Sequence, residues 1–237
     1  MLQLIEITPD MATADIKLDH EGCLDSLGAI FLSMQLETTP DFHVQVCKML
    51  FYITADEQSQ TICAQTHYLA ALDSLFMQHV TNHETSAVEH IGAVWAQLAH
   101  GPGAHPVANH LAQGSGLQAV KAAFTEFTTE VVVQRVLICV IASTGVSSQV
   151  KLQVAQAGML DCVVHTMRRF VKSEELQEQG CRAINAISKG EEKVKEYLAD
   201  RATAKGDDHL PVMEAIIDAM SMSTHVHMFV FSANNFN

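Results

Sequence analysis

Apolar residues recur at helical spacing through most of the chain. Within short segments they fall three and four residues apart, so they share one face of an α-helix. The clearest segments run over residues 24–34, 69–76, 117–127, 160–167 and 212–220. No segment keeps the period-two alternation of a β-strand for long. The pattern therefore predicts an all-α protein.

The predicted helices return at a nearly constant interval. Aligning Gly22, His67, Gly116, Gly158 and His209, which lie at the starts of these segments, gives spacings of 45, 49, 42 and 51 residues. Intervals of about 40–47 residues that hold two or three helices are typical of α-solenoids, in which short helical units stack in a row. We therefore predict a single repeat domain over residues 1–237. Its units are expected at about 20–58, 59–104, 105–148, 149–191 and 192–237.

Each unit is interpreted as a short first helix, a second helix and a longer third helix. The third helices align with one another: residues 44–50 lie over residues 178–184, with Gln, Cys, a basic residue and an aliphatic residue at matching places. In this alignment Gly92 and Val136 take the place of the cysteines. A glycine inside a helix costs about 1 kcal/mol relative to alanine. Gly92 and Gly180 are therefore expected to serve close helix packing.

These residues resemble the armadillo repeat. The match is strongest over residues 154–160 followed by 176–188, moderate over 22–66 and weak in the units between. The resemblance implies a right-handed superhelix of about five armadillo-like repeats, the last one incomplete, whose third helices line a concave groove. HEAT-type repeats share the period, but a distinct first helix in each unit favours the armadillo type.

In the importin-like branch of that family, the groove holds a ladder of Trp and Asn that binds extended basic peptides. The two ladder positions in this alignment are occupied by Lys48, Ala93, Leu137 and Arg182, and by Tyr52, Gln97, Ile141 and Ala186. Neither Trp nor Asn recurs, and the single tryptophan, Trp95, falls at an aliphatic core position. The sequence therefore argues against nuclear-import cargo as the ligand.

We predict a noncatalytic scaffold that binds a partner peptide or helix along the groove. The candidate contact residues are Gln45, Lys48, Tyr52, His90, Gln97, Gln134, Arg135, Gln179 and Arg182. One alternative is a structural segment of a larger multidomain protein that positions a catalytic domain. The other is an all-α metal-dependent enzyme.

Charge narrows the class of partner. The chain has 14 basic and 27 acidic residues, for a formal net charge of −13. Such a surface repels nucleic acid and anionic membranes, so a protein partner is expected. The six cysteines form no Cys-x-x-Cys pair and lie in apolar helical patterns, which favours free thiols in the core and a reducing compartment. No signal peptide is visible, and the longest apolar stretch, residues 131–142, is too short to cross a bilayer. We expect a cytoplasmic protein, with the nucleus as the alternative.

Candidate chemistry is sparse. His79 and His83 have the i, i+4 spacing of a helix-borne metal pair, but no further ligand completes a tetrahedral set nearby. The sequence contains no phosphate-binding or dinucleotide-binding glycine motif. We therefore expect no enzyme activity, no cofactor and no bound metal, with the histidines of the second unit placed in loops and helix caps.

The C-terminal end is unusually apolar for the edge of a repeat array. Phe229, Phe231 and Phe236 fall within eight residues, where a terminal repeat usually presents polar side chains to water. An exposed patch of this kind indicates an interaction site or a missing continuation. Phe229 and Phe231 are therefore candidate contacts for self-association or for a continuation of the array.

Overall fold

The computed structural model describes residues 39–55 and 57–203, and every regular element in these ranges is helical. The all-α prediction is therefore confirmed. The helices are α1 Pro40–Ile53, α2 Glu57–Cys63, α3 Thr66–Thr81, α4 Thr85–Leu98, α5 Ala104–Gln113, α6 Gly116–Glu126, α7 Val131–Ser143, α8 Ser148–Gln156, α9 Met159–Arg169, α10 Glu174–Ser188 and α11 Glu192–Thr203. A single turn of 3₁₀-helix, Gly101–Gly103, precedes α5. The predicted helices at 24–34 and 212–220 lie outside the described residues.

Local signals explain several helix boundaries. Pro40 opens α1, where its fixed φ suits the first turn, and Asp41 places a carboxylate near the helix N-terminus. The Ser147 hydroxyl accepts a hydrogen bond from the backbone N–H of Val150 and so caps α8. Gly158, with a φ of +77°, makes the left-handed turn that starts α9. These turns bring each helix back beside its predecessor.

The helices stack in layers. α1, α4, α7 and α10 contact one another in that order and form what we call the third-helix layer. α3, α6 and α9 form a second layer behind it, and α5, α8 and α11 contact one another along the array. Each unit thus packs mainly on the next one, which is the architecture of an α-solenoid.

The core is continuous through these layers. Trp95 and Phe76 are fully buried against each other near the middle of the array, with ring centroids 4.6 Å apart. The expected packing role of the two helical glycines is confirmed. A Cβ at Gly92 would lie 2.6 Å from Cγ1 of Val136, and one at Gly180 would lie 2.5 Å from Cγ of Met167. Both distances are too short for any side chain.

Two buried glutamines join the second and third helices of their units. The Gln134 side-chain amide donates to the carbonyl oxygens of Phe124 and Phe127 at 2.9 and 3.0 Å. Gln177 donates to the carbonyls of Met167 and Phe170 at 2.8 and 3.0 Å. Gln134 and its two acceptor residues each lie 43 positions before Gln177 and its two acceptor residues. The two glutamines therefore occupy the same place in successive units.

This correspondence corrects the sequence alignment of α7. With Gln134 matched to Gln177, Ile138 takes the place of Cys181, whereas the sequence alignment had placed Val136 there. The predicted frame of α7 was therefore wrong by two residues. In α1, α4 and α10 the sequence alignment is consistent with the structure, because the aligned residues Cys47, Gly92 and Cys181 lie at the same distance from the starts of their helices.

Candidate partner-binding face

One side of the third-helix layer is open to solvent. Alignment of its four helices places equivalent residues in rows that run from α1 to α10, and side chains three and four residues apart share a helix face. In three neighbouring rows every residue is partly or fully exposed, and we call these rows the central strip. The central strip consists of Lys48, Ala93, Cys139 and Arg182; of Phe51, Ala96, Ala142 and Asn185; and of Tyr52, Gln97, Ser143 and Ala186.

The ladder positions inferred from sequence change accordingly. Leu137 and Ile141 are fully buried, and their places on the open side belong to Cys139 and Ser143. The correction brings no tryptophan or asparagine into either ladder row. Asn185 belongs to the remaining row of the strip. The Trp and Asn ladder of importin-like proteins is therefore absent from the described helices.

Most of the predicted contact residues lie on the open side of the layer. Gln45, Lys48, Tyr52 and Arg182 are exposed, and Tyr52 keeps 57% of its surface. A second group is partly exposed and consists of His90, Gln97, Arg135 and Gln179. Phe229 and Phe231 lie outside the described residues.

Gln134 has to be removed from the candidate contacts. Only 2% of it is exposed, because its amide faces the second helix of its own unit and the next one. In addition to its two donated bonds, its Oε1 accepts a hydrogen bond from the Thr166 hydroxyl at 2.6 Å. The side chain is fully used inside the array, so it has no group left for a partner.

Several hydrogen bonds cross between neighbouring third helices. A guanidinium nitrogen of Arg135 donates to Oε1 of Glu175 at a distance of 2.5 Å. The side-chain amide of Gln97 donates to the carbonyl oxygen of Thr54 at 3.4 Å. The Cys139 thiol lies 3.7 Å from Oε1 of Gln179. These bonds link neighbouring third helices through side chains on the open side of the layer.

Charge is unevenly distributed along the third helices. All their acidic residues lie within the first five positions of a helix, and we call this group the acidic rim: Asp41, Glu89, Glu174, Glu175 and Glu178. The central strip lies beyond the rim and contains no carboxylate. Its charged residues are Lys48 on α1 and Arg182 on α10. A partner lying along the strip would meet a cation at each end.

The histidines of the second unit occupy several kinds of place. His83 follows α3 in the left-handed region, with a φ of 59°, and its ring lies 2.7 Å from Glu126. This is a helix-end position, as predicted. The prediction was wrong for His79, which is only 1% exposed. Its Nε2 pairs with Nδ1 of the buried His43 at 2.8 Å, joining the third helix of one unit to the second helix of the next.

The His43–His79 pair should make stability depend on pH. Burial, and then the neighbouring His43 ring, lowers the pKa of His79 from 6.5 to about 4. The His79 Nδ1 is buried without a hydrogen-bond partner, so a proton there would have no acceptor. Because the unfolded chain takes up this proton near pH 6.5 and the folded chain only near pH 4, the stabilisation is complete above pH 7. It is lost as the pH falls toward 4.

We expect about 2 kcal/mol of the free energy of unfolding to depend on this residue between pH 7.5 and 5.0. Urea unfolding at the two pH values should show a smaller acid-induced loss in His79→Gln than in the original chain. The exposed His105 provides the control, and His105→Gln should behave like the original chain. Equal losses in all three proteins would contradict the assignment.

The remaining reactive groups form no complete chemical site among the described residues. His110 Nε2 lies 2.8 Å from Oδ2 of Asp73, but within the described chain no hydroxyl or thiol forms a hydrogen bond to His110. Burial raises the pKa of Cys47 and of Cys181 to about 12, which leaves both thiols protonated. No group of three or more His, Cys, Asp or Glu side chains in residues 39–55 and 57–203 is arranged to hold a metal ion.

The cysteines were expected to lie in the core, and three of the five described ones do. Cys47, Cys63 and Cys181 are buried, whereas Cys139 and Cys162 are partly exposed. No disulfide joins any two of these five cysteines. In the described part of the chain, no helix combines the length and the apolar character needed to cross a membrane.

Comparison with known proteins supports the fold. No protein-family model matches the chain, and no curated protein matches it. Among solved structures, the chain is similar to a designed armadillo repeat protein, YIII(Dq.V1)4CPAF, in complex with the peptide (KR)4. The two share 14% sequence identity, with a TM-score of 0.71, over 96% of this chain and 97% of the designed one. At this identity the likeness concerns the fold, and the chain therefore has an armadillo-like repeat fold.

Proposed function

We propose that this protein is a noncatalytic scaffold that binds a segment of another protein along the open side of its third-helix layer. The observation that carries the proposal is the central strip, three rows of exposed or partly exposed residues that cross four helices packed one against the next. Its side chains combine small apolar residues, amides, an exposed tyrosine and two cations. Such a mixture suits a protein segment, and the preformed helices need little reordering when it binds.

The structural neighbour supports the same class of function. That neighbour is a designed armadillo repeat protein in complex with a peptide. The alternative of a metal-dependent enzyme has no supporting ligand group among the described residues. The alternative of a structural segment within a larger protein remains compatible with the fold, since an array of this kind can position a neighbouring domain through the same surface.

Reversing the two cations of the strip should weaken partner capture. In pull-downs from native cell extract, the double variant Lys48→Glu with Arg182→Glu should retain about five- to tenfold less of its main partners, because each exposed charge pair contributes about 0.2–1 kcal/mol and reversal turns attraction into repulsion. The captured proteins would be quantified by mass spectrometry.

A matched control carries the same change in net charge on other helices. Arg168 on α9 and Lys193 on α11 are exposed and lie outside the third-helix layer. Arg168→Glu with Lys193→Glu should leave capture nearly unchanged. Far-ultraviolet circular dichroism of both double variants should match that of the original chain. If the control variant loses capture as strongly as the strip variant, the binding surface lies elsewhere.

A further inference from the structure

The central strip combines an apolar middle with cationic ends. Its middle, on α4 and α7, consists of Ala93, Ala96, Cys139 and Ala142, with the polar Gln97 and Ser143 along one edge. Because these side chains are small, the helix surfaces leave room for larger side chains of a bound segment. Lys48 lies at the α1 end, beside the exposed Tyr52, and Arg182 lies at the α10 end.

Both cations are available to a partner. Arg182 keeps 62% of its side chain exposed, and its ion pair with Glu178 spans 3.8 Å, which is a weak surface interaction. Lys48 is exposed and forms no ion pair with any residue of the described chain. By contrast, Arg135 is already bound to Glu175 at 2.5 Å, so it contributes less to binding.

The strip lacks the acidic groups that a basic peptide would pair with. A lysine or arginine side chain binds most strongly to carboxylates, and none lies in any of the three rows. The two exposed aromatic residues of the strip, Phe51 and Tyr52, both lie on α1 with Lys48, whose charge repels a second cation. The carboxylates of the third helices all belong to the acidic rim, where Glu175 and Glu178 face arginines of the protein itself. This distribution contrasts with the overall charge of −13, which alone would favour basic ligands.

We propose that the central strip binds an extended peptide that has apolar side chains at its centre and an acidic residue near each end. Neighbouring packed helices lie about 8–10 Å apart, so three intervals span about 25–30 Å. An extended chain advances about 3.3 Å per residue, so about eight residues separate the two acidic contacts. This proposal rests on the proposed function, because it names the partner of the same surface.

Three labelled ten-residue peptides test this selectivity. The first has two glutamates at each end and a centre of leucine and valine alternating with serine. The second replaces the glutamates with lysines, and the third keeps the glutamates but has a centre of serine and glycine. Binding is measured by fluorescence anisotropy at about 0.15 M salt, where remote charges are screened over about 8 Å. The symmetrical ends make the result independent of peptide direction.

The first peptide should bind the original chain about tenfold more tightly than either of the others. In the variant Lys48→Glu with Arg182→Glu the preference between glutamate and lysine ends should reverse, whereas Arg168→Glu with Lys193→Glu should keep the original order. Equal or tighter binding of the lysine-ended peptide by the original chain would overturn the proposal. Reversal by the control variant would do the same, because it would assign the effect to net charge.

Failure of all three peptides to bind at about millimolar concentration would also overturn this proposal. It would leave the proposed function standing if the strip variant still loses native partners while the control variant retains them. Conversely, peptide binding that survives the strip variant unchanged, together with undiminished capture, would remove the strip as the binding surface. The two experiments therefore separate the identity of the peptide from the location of the site.

Discussion

Replacing Trp95 with alanine is expected to lower the free energy of unfolding by about 3–5 kcal/mol, the usual range for removing a large buried aromatic side chain. Trp95 lies on α4 with no exposed surface, and its ring packs on Phe76 of α3 at a centroid distance of 4.6 Å. α4 contacts both α1 and α7, so the cavity would open where neighbouring units meet. Urea unfolding followed by circular dichroism would measure the change.

Trp95→Phe separates the packing of the ring from the cost of the buried indole N–H. The indole Nε1 is buried without an acceptor, so phenylalanine removes an unsatisfied polar group while retaining most of the ring. We expect a loss of about 1 kcal/mol or less. A loss of less than about 1 kcal/mol for the alanine variant would show that the surrounding helices collapse into the vacated space. In a repeat array, Trp95→Ala should also broaden the urea unfolding transition, because the coupling between neighbouring units is weakened.

Gln134→Ala should be nearly as damaging, with an expected loss of about 3 kcal/mol. The substitution leaves the Phe124 and Phe127 carbonyls and the Thr166 hydroxyl without their buried partner. Gln177→Ala should cost about 2 kcal/mol, since Gln177 makes the same two carbonyl bonds. Unfolding midpoints in urea, with slopes recorded to check two-state behaviour, provide the measurement.

The exposed Gln118 on α6 is the matched control for this series. Its alanine variant should change stability by no more than about 0.5 kcal/mol, as surface substitutions usually do. If Gln118→Ala and Gln134→Ala had similar effects, helix propensity rather than the buried amide would explain the loss. The ranking Gln134, Gln177, Gln118 is therefore the decisive result.

The helices themselves were predictable because their apolar stripes contrast with polar faces. In α10, for example, buried Leu176, Ala183 and Ile184 alternate with exposed Glu174 and Arg182 at helical spacing. The packing glycines were predictable for a similar reason. A residue that weakens an isolated helix must be retained for its small volume, and Gly92 and Gly180 both meet a side chain of a neighbouring helix.

The frame of α7 was not predictable because the helix is apolar on almost every side. Val131 and Val132 are 40% and 38% exposed, whereas the polar Gln134 is buried. Hydrophobic periodicity carries little information in such a helix, and its strongest polar marker points inward. The His43–His79 pair was missed for the same reason, since a polar side chain that is satisfied by a distant residue looks like a surface residue in the sequence.

The exposure of the candidate residues was easier to predict than the bonds that they make within the array. Gln45, Lys48, Tyr52 and Arg182 are exposed because the third helices of an armadillo-like array present one side to solvent. Which amides are already bonded within the array depends on neighbours about 40 residues away. Periodicity along one helix does not contain that information.

The buried glutamines also bear on where such a chain can gain or lose residues during evolution. In each of the two units that carry Gln134 and Gln177, a link of four residues joins the second helix to the third. The links are residues 127–130 and 170–173. Each amide bonds one carbonyl on the helix and one in the link, so an insertion there would move one acceptor away. The third helices nevertheless begin at intervals of 45, 46 and 43 residues. In these two units, insertions and deletions are therefore expected outside the four-residue links.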